Sequence, residues 1–322
     1  MRPFGYDGLP MEQLDRCNLC DGTHFSLFAE LMGETVRKPF RVVRCEGCGL
    51  LFVSPRLTAE ENLALYDEAY FNGKGFDGTV NYAQVDAHAE LREGENGGVI
   101  DKIRALKPRR DIRILDVGCG SGSLLRALDT AGYNDVSGIE LSEYASRLAR
   151  QGTRAQVWTG DILTAPLAAG TIDVINATEV IEHLRDPLAF FQRVKELLKP
   201  GGVFLYSTGN ARGIYARVLG KRWPYLHPEG HLFYYSPQTL VRYFERVNLR
   251  PLDMSALDRV TREAIQSADD RIAHSQLCYI GPNERGLKKT VSGWLARLDT
   301  PIVMRAWSLV LGKCHLPIAV NA

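Results

Sequence analysis

The stretch Asp116-Val-Gly118-Cys119-Gly120-Ser-Gly122 carries the strongest chemical signal in the chain. Near-adjacent glycines let a backbone turn sharply and come close to a ligand, and the exposed N–H groups of a following helix face the same space. The spacing is GxGxG with an acid two residues ahead of the first glycine. The nicotinamide fingerprint GxGxxG is not met, because position 123 is Ser. A second group is Cys17-x-x-Cys20 and Cys45-x-x-Cys48, two knuckles with 24 residues between them. Each presents two thiolates to one side, and together they supply a tetrahedral shell for zinc, with Gly47 and Gly49 easing the second turn. Four protein ligands leave no open position, so such a site is structural; reduced thiols or a redox pair are the rival readings.

The elements around the glycines alternate regularly. Ile112–Val117 is an apolar run ending in Gly and predicts a buried strand. Leu124–Ala131 predicts a helix stopped by Gly132. Strands are predicted at Val136–Ile139, Gln156–Thr159, Ile172–Ala177 and Val203–Ser207, with two more near Leu252–Ala256 and Gln276–Ile280. A helix capped by Ser142 ends near Gly152, another spans Pro187–Leu198, and a third runs from Ser236-Pro237 to about Val247. Alternation with short connections means a parallel sheet covered on both faces, an α/β core. Upstream, Thr58-Ala-Glu-Glu61 is a capping box opening a helix to about Tyr66. The Gly- and Asn-rich stretch 72–98 reads as a mobile connection around a short helix, and 285–313 as two helices. The expected organisation is 1–56 zinc-ribbon-like, 57–105 helical linker or lid, 106–281 core, and 282–322 helical extension.

DVGCGSG after the first strand resembles the first motif of the class I S-adenosylmethionine-dependent methyltransferases. Glu140 in SGIEL, Asp161 in TGDIL and Asn176-Ala-Thr-Glu179 follow in the order and at the elements where that family carries its further motifs. The resemblance covers about 113–281. It implies a Rossmann-like seven-stranded core and S-adenosylmethionine as cofactor. Carried over by motif, the cofactor contacts are Asp116, Gly118, Cys119, Gly120, Gly122, Glu140, Leu141, Asp161, Ile162 and Asn176. A carboxylate at 140 accepts both ribose hydroxyls, and Asp161 faces the adenine amino group. A nicotinamide dehydrogenase also places an acid after strand two and is the rival. A cysteine quartet leading through a YDEAYF-like stretch into the core is similar to bacterial methyltransferases of deoxysugar and surface-glycan pathways. Tyr66, Tyr70 and Phe71 then lie near the cofactor and substrate entrance, or pack the linker helix onto the core.

Methyl transfer to a hydroxyl needs alignment and a base over the C-terminal strand ends. The insertion RWPYLHPEGHLFYYS offers Trp223, Tyr225, His227, His231, Phe233, Tyr234 and Tyr235, an aromatic roof suited to a sugar or planar acceptor, with His231 the leading base and His227 behind it. Glu179-Val-Ile-Glu182-His183 is similar to the EVxEHV stretch of ubiquinone-pathway O-methyltransferases, where the acids and His are associated with a divalent metal. Spacing i, i+3, i+4 puts the three on one helix face, and helix capping is the other use of such residues. Cys119 reads as a small packing residue rather than a nucleophile; Cys278 and Cys314 have no evident partner.

Thirty-nine Lys and Arg against 38 Asp and Glu leave a net charge of +1, so nothing global recruits nucleic acid or an anionic membrane. Arg37-Lys38-Arg41-Arg44 is locally basic, which keeps open an RNA- or protein-directed enzyme that docks through the zinc segment. A cofactor-binding regulator without turnover is the third class. No apolar run resembles a signal peptide or a membrane span, since Pro301–Val320 is broken by Arg305, Lys313 and His315. Seven cysteines, four of them in tight pairs, predict a reducing, cytoplasmic setting. The expected partner is a small molecule, a sugar or secondary metabolite, with a homodimer through the C-terminal stripe as one option.

Overall fold

The computed structural model describes residues 11–76, 81–82, 89–252, 257–277 and 319–321. In the N-terminal part, β1 (Met11–Glu12), β2 (Phe25–Met32), β3 (Pro39–Cys45), β4 (Leu51–Val53) and β5 (Arg56–Leu57) precede the helix Ala59–Ala64. The Thr58 side chain accepts from the Glu61 N–H and the Glu61 carboxylate accepts from the Thr58 N–H, the reciprocal cap its sequence predicts. β2, β3 and β4 form an antiparallel meander, while β1 pairs with β5.

The core strands are β6 (Arg113–Val117), β7 (Asp135–Glu140), β8 (Gln156–Thr159), β9 (Ile172–Thr178) and β10 (Leu198–Ser207). They pair in parallel in the order β8-β7-β6-β9-β10. The chain reverses direction of travel between β6 and β9, which opens a crevice at the carboxyl ends of these two strands. Ser123–Thr130, Glu143–Gly152 and Pro187–Leu197 are the crossover helices. Ser142 and Asp186 cap the second and third through their side chains, and Pro187 stands in the first turn of the third, where it forfeits no helical hydrogen bond.

β11 (Phe233–Tyr234) leaves the core and pairs antiparallel with β4, so a strand from beyond the parallel core completes the N-terminal sheet. β12 (Leu249–Pro251) and β13 (Ala319–Asn321) finish the central sheet, with β13 antiparallel between β10 and β12. This is the Rossmann-like seven-stranded α/β fold. Burial joins the two halves as well: Cys17, Leu19, Cys45 and Phe52 belong to the same apolar cluster as Leu115, Ile175, Phe191 and Tyr243.

Several expectations change. Ala89–Leu106 is one 18-residue helix, so the stretch around Gly97-Gly98 is helical. Its apolar face (Val99, Ile100, Ile103) is buried in a cluster with Ile265, which outweighs the low helix propensity of glycine. Gln276 and Leu277 end a helix beginning at Arg259, so no strand starts there; 278–280 lie outside the described residues. The strand expected near Leu252 sits at Leu249–Pro251, and 253–256 lie outside the described residues. Within 282–322, read as helical, Ala319–Asn321 is a strand; the rest, including the two expected helices and Cys314, lies outside the described residues, as does Cys278. No helix among the described residues is long and apolar enough to cross a membrane.

Candidate active site

The glycine loop turns at the tip of β6 with Gly118, Gly120 and Gly122 all at positive φ (68°, 54° and 86°). Two of them have separate jobs. A Cβ at Gly118 would stand 2.5 Å from Cγ2 of Val180, so the segment after β9 lies directly on the loop. A Cβ at Gly120 would meet nothing within 4 Å, so its bare backbone faces open space in the crevice, as close approach by a ligand requires. Cys119 is buried, and its Sγ occupies the space over Gly138, 2.7 Å from where a Cβ would be. That is a packing role, and burial pushes its thiol further from ionisation.

Glu140, buried at the tip of β7, ties this corner together. Its Oε2 accepts from the Gly120 N–H at 2.9 Å and its Oε1 from the Ser142 N–H at 2.9 Å. Each oxygen keeps a second lone pair, the acceptors that a ribose diol needs. Burial raises its pKa although both N–H groups act the other way. Asp116 lies deeper in β6, where Asn176 Nδ2 donates to its Oδ1 at 2.8 Å. Burial, with the nearby Glu140 charge, lifts Asp116 to about 7 against that hydrogen bond. Asp161 stands after β8, and its Oδ1 accepts from the Leu163 N–H at 2.9 Å while Ile162 beside it is buried. Leu141 and Leu163 are 48% and 41% exposed, apolar side chains left at the surface next to Glu140 and Asp161. These residues therefore gather along the carboxyl ends of β6, β7, β8 and β9, around the open face of Gly120.

The second cluster follows β9. Glu179 takes a left-handed backbone (φ 52°) and Ile181–His183 is a single 3₁₀ turn, so Glu179, Glu182 and His183 do not share one helix face as their spacing suggests. Glu179 Oε1 accepts from Ser207 Oγ at 2.8 Å, and its Oε2 from the Tyr225 hydroxyl at 3.3 Å. Glu182 is fully buried. Its Oε1 accepts from the Tyr225 hydroxyl and its Oε2 from Thr208 Oγ1 at 2.9 Å. Burial first, then the Glu179 charge, raises Glu182 to about 8; burial lowers His183 to about 4. Burial thus acts against charge on both members of the pair.

His231 joins this cluster. Its Nδ1 lies 2.8 Å from the Tyr225 carbonyl, which obliges that nitrogen to carry the hydrogen and makes Nε2 the basic one. His183 is set the same way, with Nδ1 3.0 Å from the Gly230 carbonyl and 2.9 Å from the Tyr66 hydroxyl. The two imidazoles meet edge to face at 4.7 Å, with His227 at 5.5 Å from His231. Glu182, His183 and His231 place ligand atoms within 4.8 Å of one another, a two-histidine, one-carboxylate set that leaves out Glu179.

The aromatic roof is smaller than its sequence suggests. Trp223 is buried where it stacks on Tyr225 at 5.2 Å, and Phe233, Tyr234 and Tyr235 are buried as well, because β11 turns that stretch into the two packed halves. Tyr70 is buried too, stacked on Phe76 at 5.1 Å and on Tyr82 at 5.3 Å, so its ring packs the linker. Ser207 and Thr208 escaped the sequence reading, although position at the carboxyl end of β10 was an available signal, while Tyr66, one of the aromatics it named, reaches His183 with its hydroxyl.

In the cysteine quartet, Cys17 Sγ lies 3.5 Å from Cys48 Sγ, and Cys20 Sγ 3.5 Å from Cys45 Sγ. All four sulfurs fall within 4.8 Å of one another. A tetrahedral ion with Zn–S bonds of about 2.3 Å separates its sulfurs by about 3.8 Å, so the set fits zinc. The neighbouring Cys48 thiol, then burial, push the Cys17 thiol up. The first knuckle is fastened to the core through Asn18, whose Oδ1 accepts from the Leu188 N–H (3.0 Å) and the Tyr243 hydroxyl (2.9 Å). The basic stretch on β2–β3 is partly used internally: Arg41 pairs with Glu30 at 3.0 Å, and Arg44 lies over the Phe28 ring.

A seven-stranded sheet of this order, with a glycine cradle on β6 and an acid on the tip of β7, defines a class I S-adenosylmethionine-dependent methyltransferase. The chain belongs to the methyltransferase-domain family whose model matches residues 89–253. It is similar to the ubiquinone biosynthesis O-methyltransferase of Ralstonia nicotianae, with 32% identity over 171 residues, 49% of this chain and 71% of that one. The enzyme of the same name from Actinobacillus pleuropneumoniae is 32% identical over 158 residues, 44% of this chain and 67% of that one. Among solved structures, geranyl diphosphate C-methyltransferase from Streptomyces coelicolor A3(2) matches 66% of this chain and 73% of its own at 15% identity, with a TM-score of 0.43.

Proposed function

We propose that the enzyme transfers the methyl group of S-adenosylmethionine to a hydroxyl oxygen of a small ring-shaped acceptor, a sugar, glycan precursor or natural product, with His231 as general base. The observation that carries this reading is the His231 tautomer. Its Nδ1–H is committed to the Tyr225 carbonyl, which makes Nε2 the proton acceptor, in a cluster with Glu182 and His183. The cluster adjoins the glycine loop through Val180. The cofactor brings a methyl group already activated on a sulfonium sulfur. The chain supplies alignment and proton removal. Glu140 and the bare Gly120 backbone bind; Asp116, Asn176, Leu141, Asp161 and Ile162 complete the crevice. His227 is the reserve base and Glu179 holds the Tyr225 hydroxyl. The relatives' O-methyltransferase names support oxygen over carbon as acceptor atom. Cys17, Cys20, Cys45 and Cys48 hold a structural zinc.

Turnover is read with a panel of nucleotide sugars, free deoxysugars and catechols. General bases contribute about 10²–10⁴-fold, so His231→Gln is expected to lower kcat by about 10²-fold while S-adenosylhomocysteine binds as in wild type. Near-normal turnover of that variant would remove the base assignment.

The two-histidine, one-carboxylate grouping favours a second reading, a divalent cation at Glu182, His183 and His231. In each imidazole the Nδ1 hydrogen is held by a backbone carbonyl, the outer contact that orients metal-binding histidines. A cation held there would orient the acceptor hydroxyl and favour its deprotonation. Activity that disappears in EDTA and returns with Mg²⁺ or Mn²⁺, with the cysteine zinc retained throughout, would replace the base reading by this one. Activity indifferent to EDTA keeps His231 as base.

A further inference from the structure

Glu229 is buried away from the glycine loop's crevice residues, among the backbone amides of the N-terminal sheet. It is 2% exposed, its carboxylate inserted into the turn between β2 and β3. Oε2 accepts from the N–H of Glu34 at 2.8 Å and Oε1 from that of Val36 at 2.5 Å, while the Thr35 N–H lies 3.0 Å from both. Three consecutive amides facing one carboxylate form an anion-binding concavity, and a buried carboxylate is stable only with such donors. The backbone of the same segment is gripped too. Asn62 Nδ2 donates to the Glu229 carbonyl at 3.0 Å. Gly230 runs under Phe76, where a Cβ would come within 2.1 Å of the ring. The Leu232 carbonyl accepts from the Val53 N–H at 2.9 Å, and its N–H donates to the Glu182 carbonyl at 2.7 Å. His231 therefore sits in a strip held by the N-terminal segment on one side and by Glu182-His183 on the other.

We propose that Glu229 is a positioning residue: its carboxylate clamps the His227–His231 turn to the β2–β3 hairpin, so that the cysteine-bearing segment sets the place of the catalytic imidazole. The hairpin has two ends. Phe25 pairs with Cys45 at the cysteine end, and Met32 with Pro39 next to the clamp. An anchored lower end thus makes the upper end a fixed post. The segment serves in cis as part of the active-site frame, which accounts for its shared core without a docking partner. The inference rests on the reading of His231 as base.

The test uses the full, zinc-loaded chain labelled with ¹³C at histidine Cε1, with S-adenosylhomocysteine bound. His231→Gln and His227→Gln assign the resonances. Two variants loosen the clamp from opposite sides. Glu229→Gln puts an NH₂ against the amides, and Gly33→Ala places a Cβ 2.7 Å from Glu229 Oε1 and 2.8 Å from Phe40 Cε2. Both are expected to move the His231 resonance. Zinc per chain and S-adenosylhomocysteine affinity should stay within about twofold of wild type. On the best acceptor of the panel above, kcat should fall by about tenfold in each, and by much less when added to His231→Gln, as residues acting through one group are non-additive. An unchanged His231 resonance in both variants would overturn the proposal, as would loss of zinc or cofactor affinity in step with the resonance change. If His231→Gln retains wild-type turnover, the base assignment fails, while the resonances still judge the clamp. Should Glu229→Gln not fold, Gly33→Ala carries the same readouts.

Discussion

Cys45→Ser is expected to cost the enzyme the zinc proposed for the cysteine quartet, a large part of its thermal stability and, with them, its turnover. Structural zinc sites in small peptides contribute apparent binding free energies of about 10–16 kcal/mol, against about 5–15 kcal/mol for the net stability of a whole domain. Losing one ligand of four removes much of the first quantity, so the second cannot absorb it. The damage should not stop at the N-terminal segment, because Cys45 is fully buried in the cluster that also contains Phe191 and Tyr243 of the core. Zinc content by colorimetric release and a melting curve followed by circular dichroism check this. Wild-type stability in a zinc-free variant would show that the quartet is a set of reduced thiols and that the frame stands without metal.

The second large effect concerns Glu140. Glu140→Gln keeps the size of the side chain but replaces one oxygen by a donor, which faces either the Gly120 or the Ser142 N–H at a site where both contacts are 2.9 Å. It also removes the charge. Hydrogen bonds to charged groups are worth about 1.5–3 kcal/mol each, and about 1.4 kcal/mol is tenfold in affinity. Loss of a bidentate grip should therefore weaken S-adenosylmethionine binding by about 10²-fold or more in isothermal calorimetry. Asp161→Ala is the comparison, with an expected loss below about tenfold, since the Asp161 carboxylate caps its own exposed turn. Equal losses in the two variants would mean that the tip of β7 has no special part in cofactor binding.

Much of the core was legible because local signals and burial agree there. Ser142, Asp186 and Ser236 cap helices with their side chains, Pro187 and Pro237 stand in first turns, and the glycines of the loop have the positive φ that their density implies. The failures share a cause, which is long-range packing. Gly97 and Gly98 read as a breaker, yet the helix through them buries Val99, Ile100 and Ile103 against another helix far along the chain. Phe233 and Tyr234 read as part of a substrate roof, but pairing with Leu51 and Phe52 pulls them into a sheet. Glu179, Glu182 and His183 follow helical spacing, but Glu179 adopts a left-handed backbone and the turn after it is 3₁₀, so His231 takes the third place in the cluster. Glu229 had no local signature at all, because its partners are backbone amides of residues 34–36.

The account depends most on where the cofactor sits. A crystal structure of the zinc-loaded enzyme grown with S-adenosylhomocysteine tests this directly. The account predicts the ligand lying across Gly118–Gly122, both ribose hydroxyls on Glu140 and the sulfur turned toward the cluster of Glu182, His183 and His231. A ligand bound away from the tips of β6 and β7, or a ribose with no contact to Glu140, would contradict it.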